Sequence, residues 1–510
     1  MGTDKDANVT TENIVTATPR GDRPVEPLVF EKSIPGQRAV TLPPLDVPET
    51  ALPSEIVGGG FPGAEIGQLD LMRHYTHLAQ RNFSVDGQFY PLGSCTMKYN
   101  PRINEWAASL PGFTGLHPLQ AETETQGLLR LLFELRGFLE EIAGLDEVCL
   151  QPAAGAHGEY TALKVIRAFY HDHGQSQRNK VLAPDTAHGT NPASCAMCGA
   201  NVITVPSASG YTDVDALKEV IDREGADTIA AFMITNPNTA GLFDSKITEI
   251  AGIMHEAGGM VYLDGANMNA ILGKARPGDF GVDAMHYNTH KTFSTPHGCG
   301  GPGSGPIAVT TKLAPYLPVP QVEYDDVRSM FSLNYNRPKS IGKVRSFFGQ
   351  IGVLIRCWAY IRSCGPDGLR DVAEMSVLNA NYLASQLHAR YETPYFEPGK
   401  GKWCAHEFIT VPKSLLAHGV TLLDIAKRLI DYGIHPPTMH WPVHDCLMVE
   451  PTETESKRTL DTFIDAMSRI ADEIESHDDA MHDAPADAPV RRLDEVAASR
   501  KPRLTFTDSQ

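Results

Sequence analysis

Val261-Tyr-Leu-Asp-Gly-Ala-Asn267 and, downstream, Asn288-Thr-His-Lys-Thr-Phe293 are the two stretches on which the reading of this chain turns. The first ends an apolar run, Met260 to Leu263, in the carboxylate of Asp264, followed by the small residues Gly265 and Ala266. The second follows another strand-like run, Ala284 to Asn288, and delivers His290 and Lys291. Two buried strands, each presenting one reactive residue at its end, suit pyridoxal phosphate (PLP). A lysine amine forms the Schiff base, and a carboxylate keeps the pyridine nitrogen protonated so that the ring accepts electrons. A buried Asp–Lys ion pair would leave the same trace, so the surrounding chain has to decide.

Outward from these stretches, strand and helix alternate. Strands are predicted at Val148–Gln151, Lys180–Ala183, Asn201–Val205, Thr228–Thr235, Met260–Leu263 and Ala284–Asn288, with Pro306–Thr311 returning antiparallel. The helix after Gly158 buries Ala162, Val165, Ile166, Phe169 and Tyr170 on one face, and others fill Pro192–Gly199, Val214–Arg223 and Ser245–Ala257. Such alternation implies an α/β fold with a mainly parallel sheet covered on both faces. The chain divides into a Pro-rich arm (1–70), a helical and loop segment (71–147), a large domain (148–365), a smaller C-terminal α+β domain (366–476) and a tail (477–510). Leu313–Gln350 reads as irregular, Ile351–Ser363 as a linking helix, and Thr452 with Glu455 as the capping box of a helix to Ile474.

A formal charge of −18 argues against nucleic acid or an anionic membrane as partner. Nine cysteines in 510 residues are no disulfide framework, which points to a reducing compartment. The acidic start lacks an apolar signal core, and no uninterrupted apolar run reaches the ~20 residues of a membrane span. A cytoplasmic protein is expected. The acidic stretch Asp472–Asp487 reads as a helix end running into a solvated tail.

Ligands of open parallel sheets bind outside the carboxyl ends of the strands. Gly155, Ala156 and His157 stand there at a helix start, where free N–H groups can hold a phosphate; a plain strand–helix turn is the alternative. His188 could stack on a flat ring. Thr190 and Asn191 form a helix cap or a phosphate contact. Asn236 could donate to a phenolate oxygen or mark an Asn-Pro turn, and Ala266 is small enough to lie under a ring. Cys195-Ala-Met-Cys198, His477 and His482 have too few companions for a metal site, so none is expected. Gly58, Gly60 and Gly63, and again Gly298, Gly300 and Gly303, have dinucleotide-loop spacing, but neither run opens a helix after a strand. Tyr90-Pro-Leu-Gly-Ser-Cys-Thr-Met-Lys-Tyr-Asn-Pro is a surface loop or one folded over an active site.

That loop, with Ala187-His-Gly-Thr-Asn-Pro-Ala-Ser, Asp264-Gly-Ala-Asn-Met-Asn-Ala, His290-Lys-Thr-Phe, Arg337-Pro-Lys-Ser-Ile-Gly and Glu450-Pro-Thr-Glu-Thr-Glu, resembles the glycine dehydrogenase (decarboxylating) family, the P-protein of the glycine cleavage system. The likeness runs from about His74 to Lys457, and Ala154-Gly-Ala-His157-Gly-Glu is similar to the lysine-bearing subunit of the two-subunit form. The resemblance implies a fold-type I PLP enzyme, with Lys291 as the Schiff-base lysine, Asp264 as the pyridine-nitrogen partner and His188 stacking opposite Ala266. It further implies decarboxylation of glycine, transfer of the aminomethyl group to the lipoyl arm of the H-protein, and an α2β2 assembly with a homologous subunit. Arg345 or Lys98 could hold the glycine carboxylate. Cys299 stands where glycine is expected, and the arm before His74 is longer than expected. Rival readings are another PLP enzyme of the same fold, an aminotransferase or an amino-acid decarboxylase, and a non-catalytic scaffold subunit, which would need neither Lys291 nor Asp264.

Overall fold

The computed structural model describes residues 26–58, 63–298, 301–502 and 504. Gly60, Cys299 and Gly300 lie outside the described residues, so neither glycine-spaced run is described in full. The chain forms two compact units, Met1–Phe83 and Ser84–Gln510. In the first, extended chain leads to helix α1 (Gln68–Gln80), where the His74 and His77 rings meet the Glu26 carboxylate at 3.0 and 3.1 Å. Val40, Leu42, Leu45, Val47 and Leu52 are all exposed along its extended part.

The second unit opens through helix α2 (Gln126–Ala143) into strand β1 (Glu147–Cys149) and helix α3 (Gly155–Asp172). There follow β2 (Lys180–Pro184), α4 (Thr190–Met197), β3 (Asn201–Val205), α5 (Val214–Glu224), β4 (Ile229–Thr235), α6 (Ile247–Glu256), β5 (Met260–Gly265), β6 (Ala284–Tyr287) and β7 (Ile307–Val309). The seven strands form one sheet in the order β3-β2-β4-β5-β6-β7-β1. β7 runs antiparallel to both of its neighbours, and the pairs from β3 through β6 are parallel. Strands buried on both faces read as unbroken apolar runs, and alternate residues sort into two cores. Phe232, Ile234, Val261, Leu263 and Met285 pack with α2, α5 and α6 on one face. Ala231, Met233, Met260, Tyr262 and Ala284 pack with α3 on the other. Leu132 of α2 is fully buried in the first core, so Leu132→Ala is expected to cost ~2–5 kcal/mol in a denaturant titration.

Leu313–Gln350 is less irregular than its composition suggests. Strands β8 (Gln321–Asp325) and β9 (Met330–Asn334) pair antiparallel within it. Helix α7 (Ile351–Leu387) runs well past the predicted linking helix, and Gly365, whose φ of 63° is not helical, breaks it just before Pro366. The C-terminal part packs β10 (Phe408–Thr410), α8 (Leu422–Asp431), β11 (Thr438–Met439), β12 (Leu447–Val449) and α9 (Lys457–Glu475) around a third core, with Phe408, Leu429, Leu447, Phe463 and Met467 fully buried. The capping box at Thr452 is corrected. Thr452 has φ 61°, outside helical space, and Ser456 caps α9 by accepting the Thr459 N–H at 3.2 Å. The C-terminal stretch is docked and not wholly solvated: Met481 and Ala484 are fully buried, and Arg492 pairs with Asp424 at 2.6 Å. No helix among the described residues is long and apolar enough to cross a membrane.

Candidate active site

Because β2, β4, β5 and β6 run the same way, the segments leaving their carboxyl ends converge, and a pocket of ≈ 300 Å³ opens between them. Gly155, Ala156, His188, Thr190, Asp264, Ala266, His290 and Lys291 all line it, together with Ser94 and Cys95 of the polar loop. Asp264 is hydrogen-bonded in register with His286 of β6, so the distance between the β5 carboxylate and the turn carrying Lys291 is set by the ladder itself. Lys291 sits in the one-turn helix Thr289–Thr292, 9% exposed, and among the described residues its amine has no hydrogen-bond or ion-pair partner.

Asp264 is 4% exposed, and burial alone would push its carboxyl up. The surroundings win: His286, the Asn191 amide, Lys291 and the Ala266 N–H hold it below the usual carboxylate range. Asn191 Nδ2 donates to Oδ2 at 3.0 Å, Ala266 N to Oδ1 at 3.0 Å, and His286 Nε2 stands 3.3 Å from Oδ1. The far nitrogen of His286 meets the Tyr262 hydroxyl at 2.6 Å, which fixes the ring.

At the start of α3 the first helical bond is Gly158 N to Ala154 O, so the preceding amides of Gly155, Ala156 and His157 have no helical acceptor. Gly155 is required: a Cβ there would collide with the Asn288 side chain. The His157 ring does not line the pocket; its Nδ1 accepts the Ala153 N–H at 3.0 Å and closes the turn. Arg345 stands near enough to His157 to help burial lower that imidazole, and its Nε and one Nη are buried with no acceptor among the described residues. His188 Nδ1 bonds the Thr190 hydroxyl at 2.9 Å, and its ring meets Trp441 edge-on at 5.7 Å.

Two expectations fail here. Asn236 does not line the pocket: its side chain accepts from Asp244 N (2.9 Å) and donates to Asp244 O (3.2 Å), bridging a loop as a backbone group would. Lys98 is spent on Glu453 (2.6 Å) and the Thr292 carbonyl (2.9 Å), so it braces the Lys291 turn and is no free carboxylate anchor. Sequence reasoning also missed Glu159 and His286, and it gave Asn191 as a cap or phosphate contact where the residue bonds Asp264. Glu159 is a buried carboxylate lining the pocket that accepts from the Thr190 and Ser194 hydroxyls at 2.8 Å each. A lone histidine inside the apolar run of β6 was the available signal for His286.

Burial, with His297, Lys291 and His286 adding, brings the His290 imidazole down to about 3; burial, with Lys291, does the same to His406. Both are neutral in the folded chain and would titrate near 6.5 in the unfolded one. Their contribution to stability is therefore complete above about pH 6.5 and is lost as pH falls toward about 3. His406→Gln should lose less stability than the parent between pH 6.5 and 4, read as urea midpoints; equal losses would count against a neutral buried His406.

PLP asks a protein for an amine, an anion beside the pyridine nitrogen, and donors for a phosphate. The unpartnered Lys291 amine, the ionised Asp264 and the free amides of α3 beside the orphaned guanidinium nitrogens of Arg345 answer those needs. With the sheet order, they place the protein among the PLP-dependent enzymes of fold type I. Comparison with known proteins narrows this. Residues 50–323 match the family described as Glycine cleavage system P-protein, and residues 372–491 match Glycine dehydrogenase, C-terminal domain. Proteins from Halalkalibacterium halodurans (52% identical over 487 residues) and Bacillus licheniformis (51% over 488), each named probable glycine dehydrogenase (decarboxylating) subunit 2, are matched over 94% of this chain and 98% of their own. Among solved structures, an inhibitor-bound glycine decarboxylase (P-protein) shares the fold at TM-score 0.65 and 23% identity, covering 84% of this chain and 92% of that one. A cysteine desulfurase from Escherichia coli does so at TM-score 0.57 and 15% identity, covering 78% and 98%. The chain belongs to the glycine dehydrogenase (decarboxylating) family, the P-protein of the glycine cleavage system. Both relatives are designated subunit 2 of their enzyme.

Proposed function

We propose that this chain holds PLP on Lys291, decarboxylates glycine with release of CO2, and passes the aminomethyl group to the lipoyl arm of the H-protein. The observation that carries the reading is the delivery of Lys291 and an ionised Asp264 into one pocket by adjacent strands. When bound, the cofactor supplies an electron sink for the bond that breaks at the glycine α-carbon. The chain's residues do the rest. Asp264, kept ionised by Asn191, His286 and the Ala266 N–H, holds the proton on the pyridine nitrogen. The free amides of Gly155, Ala156 and His157, with Thr190 and Arg345, hold the phosphate. His188, its ring fixed by Thr190, and Ala266 bound the two faces of the ring. His290 stays neutral beside Lys291 and adds no second positive charge.

The exposed apolar residues of the arm, Val40 through Leu52, support an α2β2 assembly in which a homologous partner subunit covers them. The eight described cysteines are all free, which supports a cytoplasmic setting. The test mixes this chain, its partner subunit and lipoylated H-protein with glycine and labelled bicarbonate. Carboxyl exchange together with an aminomethyl-lipoyl product is expected. Free methylamine, or transfer of the amino group to an oxo acid, would replace this reading with that of a plain decarboxylase or an aminotransferase. No reaction in the full mixture would favour a scaffold.

A further inference from the structure

Behind the pocket lie two carboxyl groups that neither PLP nor glycine accounts for. Glu407 enters β10 and Glu450 leaves β12, and the pairing of Phe408 with Val449 sets the two side by side. Both are fully buried, and each has an oxygen within 4.8 Å of the other's and of a His406 ring nitrogen. Among the described residues neither forms an ion pair with a Lys or Arg; the nearest contact of that kind is His406 Nε2 to Glu407 Oε1 at 3.7 Å. Two such neighbours, with Lys291 beyond ion-pair distance of either, cannot both ionise readily in a low-dielectric interior, so one proton stays between them.

The hydrogen bonds say where it stays. Glu450 accepts the Thr96 N–H at 3.0 Å and the Thr96 hydroxyl at 2.5 Å, which favours its anion. Glu407 accepts the Ser94 N–H at 2.7 Å through Oε2, while its Oε1 has no hydrogen-bond partner among the described residues and is the oxygen able to carry the proton. The amides they receive belong to a strained turn. Ser94 and Thr96 have φ of 65° and 41°, left-handed values that side chains disfavour, and Ser94 and Cys95 form part of the pocket wall beside Lys291.

We propose that Glu407 and Glu450 share a single proton and act as positioning residues, holding the Ser94–Thr96 turn in its left-handed shape against the Lys291 pocket. The importance of that pocket rests on the function proposed above; the shared proton does not. The other titratable groups facing the pair are Lys291, His406, Cys95, Cys404 and Glu453. Burial, with Glu450 adding, keeps the Glu407 carboxyl well above the ordinary range. Burial lifts Glu450 to about 7 against the pull of Thr96 and Lys291. With folded values raised, the pair favours the fold most at acid pH, and that contribution fades as pH rises from about 4.5 through about 7. Loss of the last proton leaves two adjacent negative charges behind the turn.

Infrared difference spectra of the holoenzyme, with glutamate isotope-labelled in this chain alone, test the proposal. A protonated-carboxyl band is expected at neutral pH, and Glu407→Gln, whose amide copies the protonated acid and still accepts from Ser94, removes the Glu407 part of it. In glycine–bicarbonate exchange, the alkaline limb of kcat should move up by roughly one pH unit or more in Glu407→Gln. Glu407→Ala, which leaves Ser94 without an acceptor, should lose about tenfold or more at every pH. A neutral-pH spectrum with no acid band that Glu407→Gln removes would overturn the shared proton. Identical pH profiles in the parent, Glu407→Gln and Glu407→Ala would overturn the positioning role. If exchange is absent throughout while the band behaves as stated, the function proposed for the pocket fails and the proton pair stands.

Discussion

Lys291→Ala is expected to bind PLP only reversibly and to lose glycine turnover by on the order of 10³-fold or more, the scale seen when a covalent catalytic group is removed. The argument is geometric before it is chemical. The ladder of β5 and β6 brings Lys291 into the pocket with its amine unclaimed, whereas the other buried lysine of this region, Lys98, is held by Glu453 and the Thr292 carbonyl. An amine already committed to a carboxylate is a poor nucleophile, and an uncommitted one is ready. Borohydride reduction followed by peptide mapping should put the pyridoxyl mass on the peptide containing Lys291. Its appearance on Lys98 or any other lysine would void the site assignment, and its absence from every lysine would void the PLP reading as well.

Asp264→Asn is expected to leave the fold intact, keep part of the bound cofactor, and lower exchange by about 10²-fold or more. An amide cannot hold a proton on the pyridine nitrogen. It also upsets its own neighbours: Asn191 Nδ2 and the Ala266 N–H now donate to the two carboxylate oxygens, and an asparagine would turn an NH2 group toward one of these donors. His286, 3.3 Å away and fixed by Tyr262, would lose the anion it faces. Exchange near the parent value with full cofactor occupancy would remove Asp264 from its assigned role.

What could be read from the chain was whatever the local pattern determines. β4, β5 and β6 are buried on both faces, so each is an apolar run, broken in β6 by His286 alone, and the residue that ends the run marks the pocket. β8 and β9 escaped because each is only five residues long: Gln321-Val-Glu-Tyr-Asp does alternate polar with apolar, but two apolar positions are too few to mark a strand. Asn236 was misread because an asparagine mimicking a backbone group and one facing a ligand have the same sequence neighbours. Thr452 and Glu455 have capping-box spacing, but the left-handed backbone at Thr452 passes the cap to Ser456. Glu407 and Glu450 could not be seen at all. Each is a single acid beside a short strand, and only the pairing of β10 with β12 makes them neighbours.

The braces of the pocket also put a clock on its making. Ser94 waits for Glu407, 313 positions later, and Thr96 for Glu450, 354 positions later. Lys98 likewise waits for Glu453, 355 positions on. During synthesis β5 with Asp264, and β6 with the Lys291 turn after it, leave the ribosome while those acids are still untranslated, so a nascent chain can pair β5 with β6 but cannot yet close the wall of loop residues over them. Capture of the cofactor in a finished pocket is thereby deferred until nearly the whole polypeptide has emerged, and chains released early carry the reactive lysine without its enclosure.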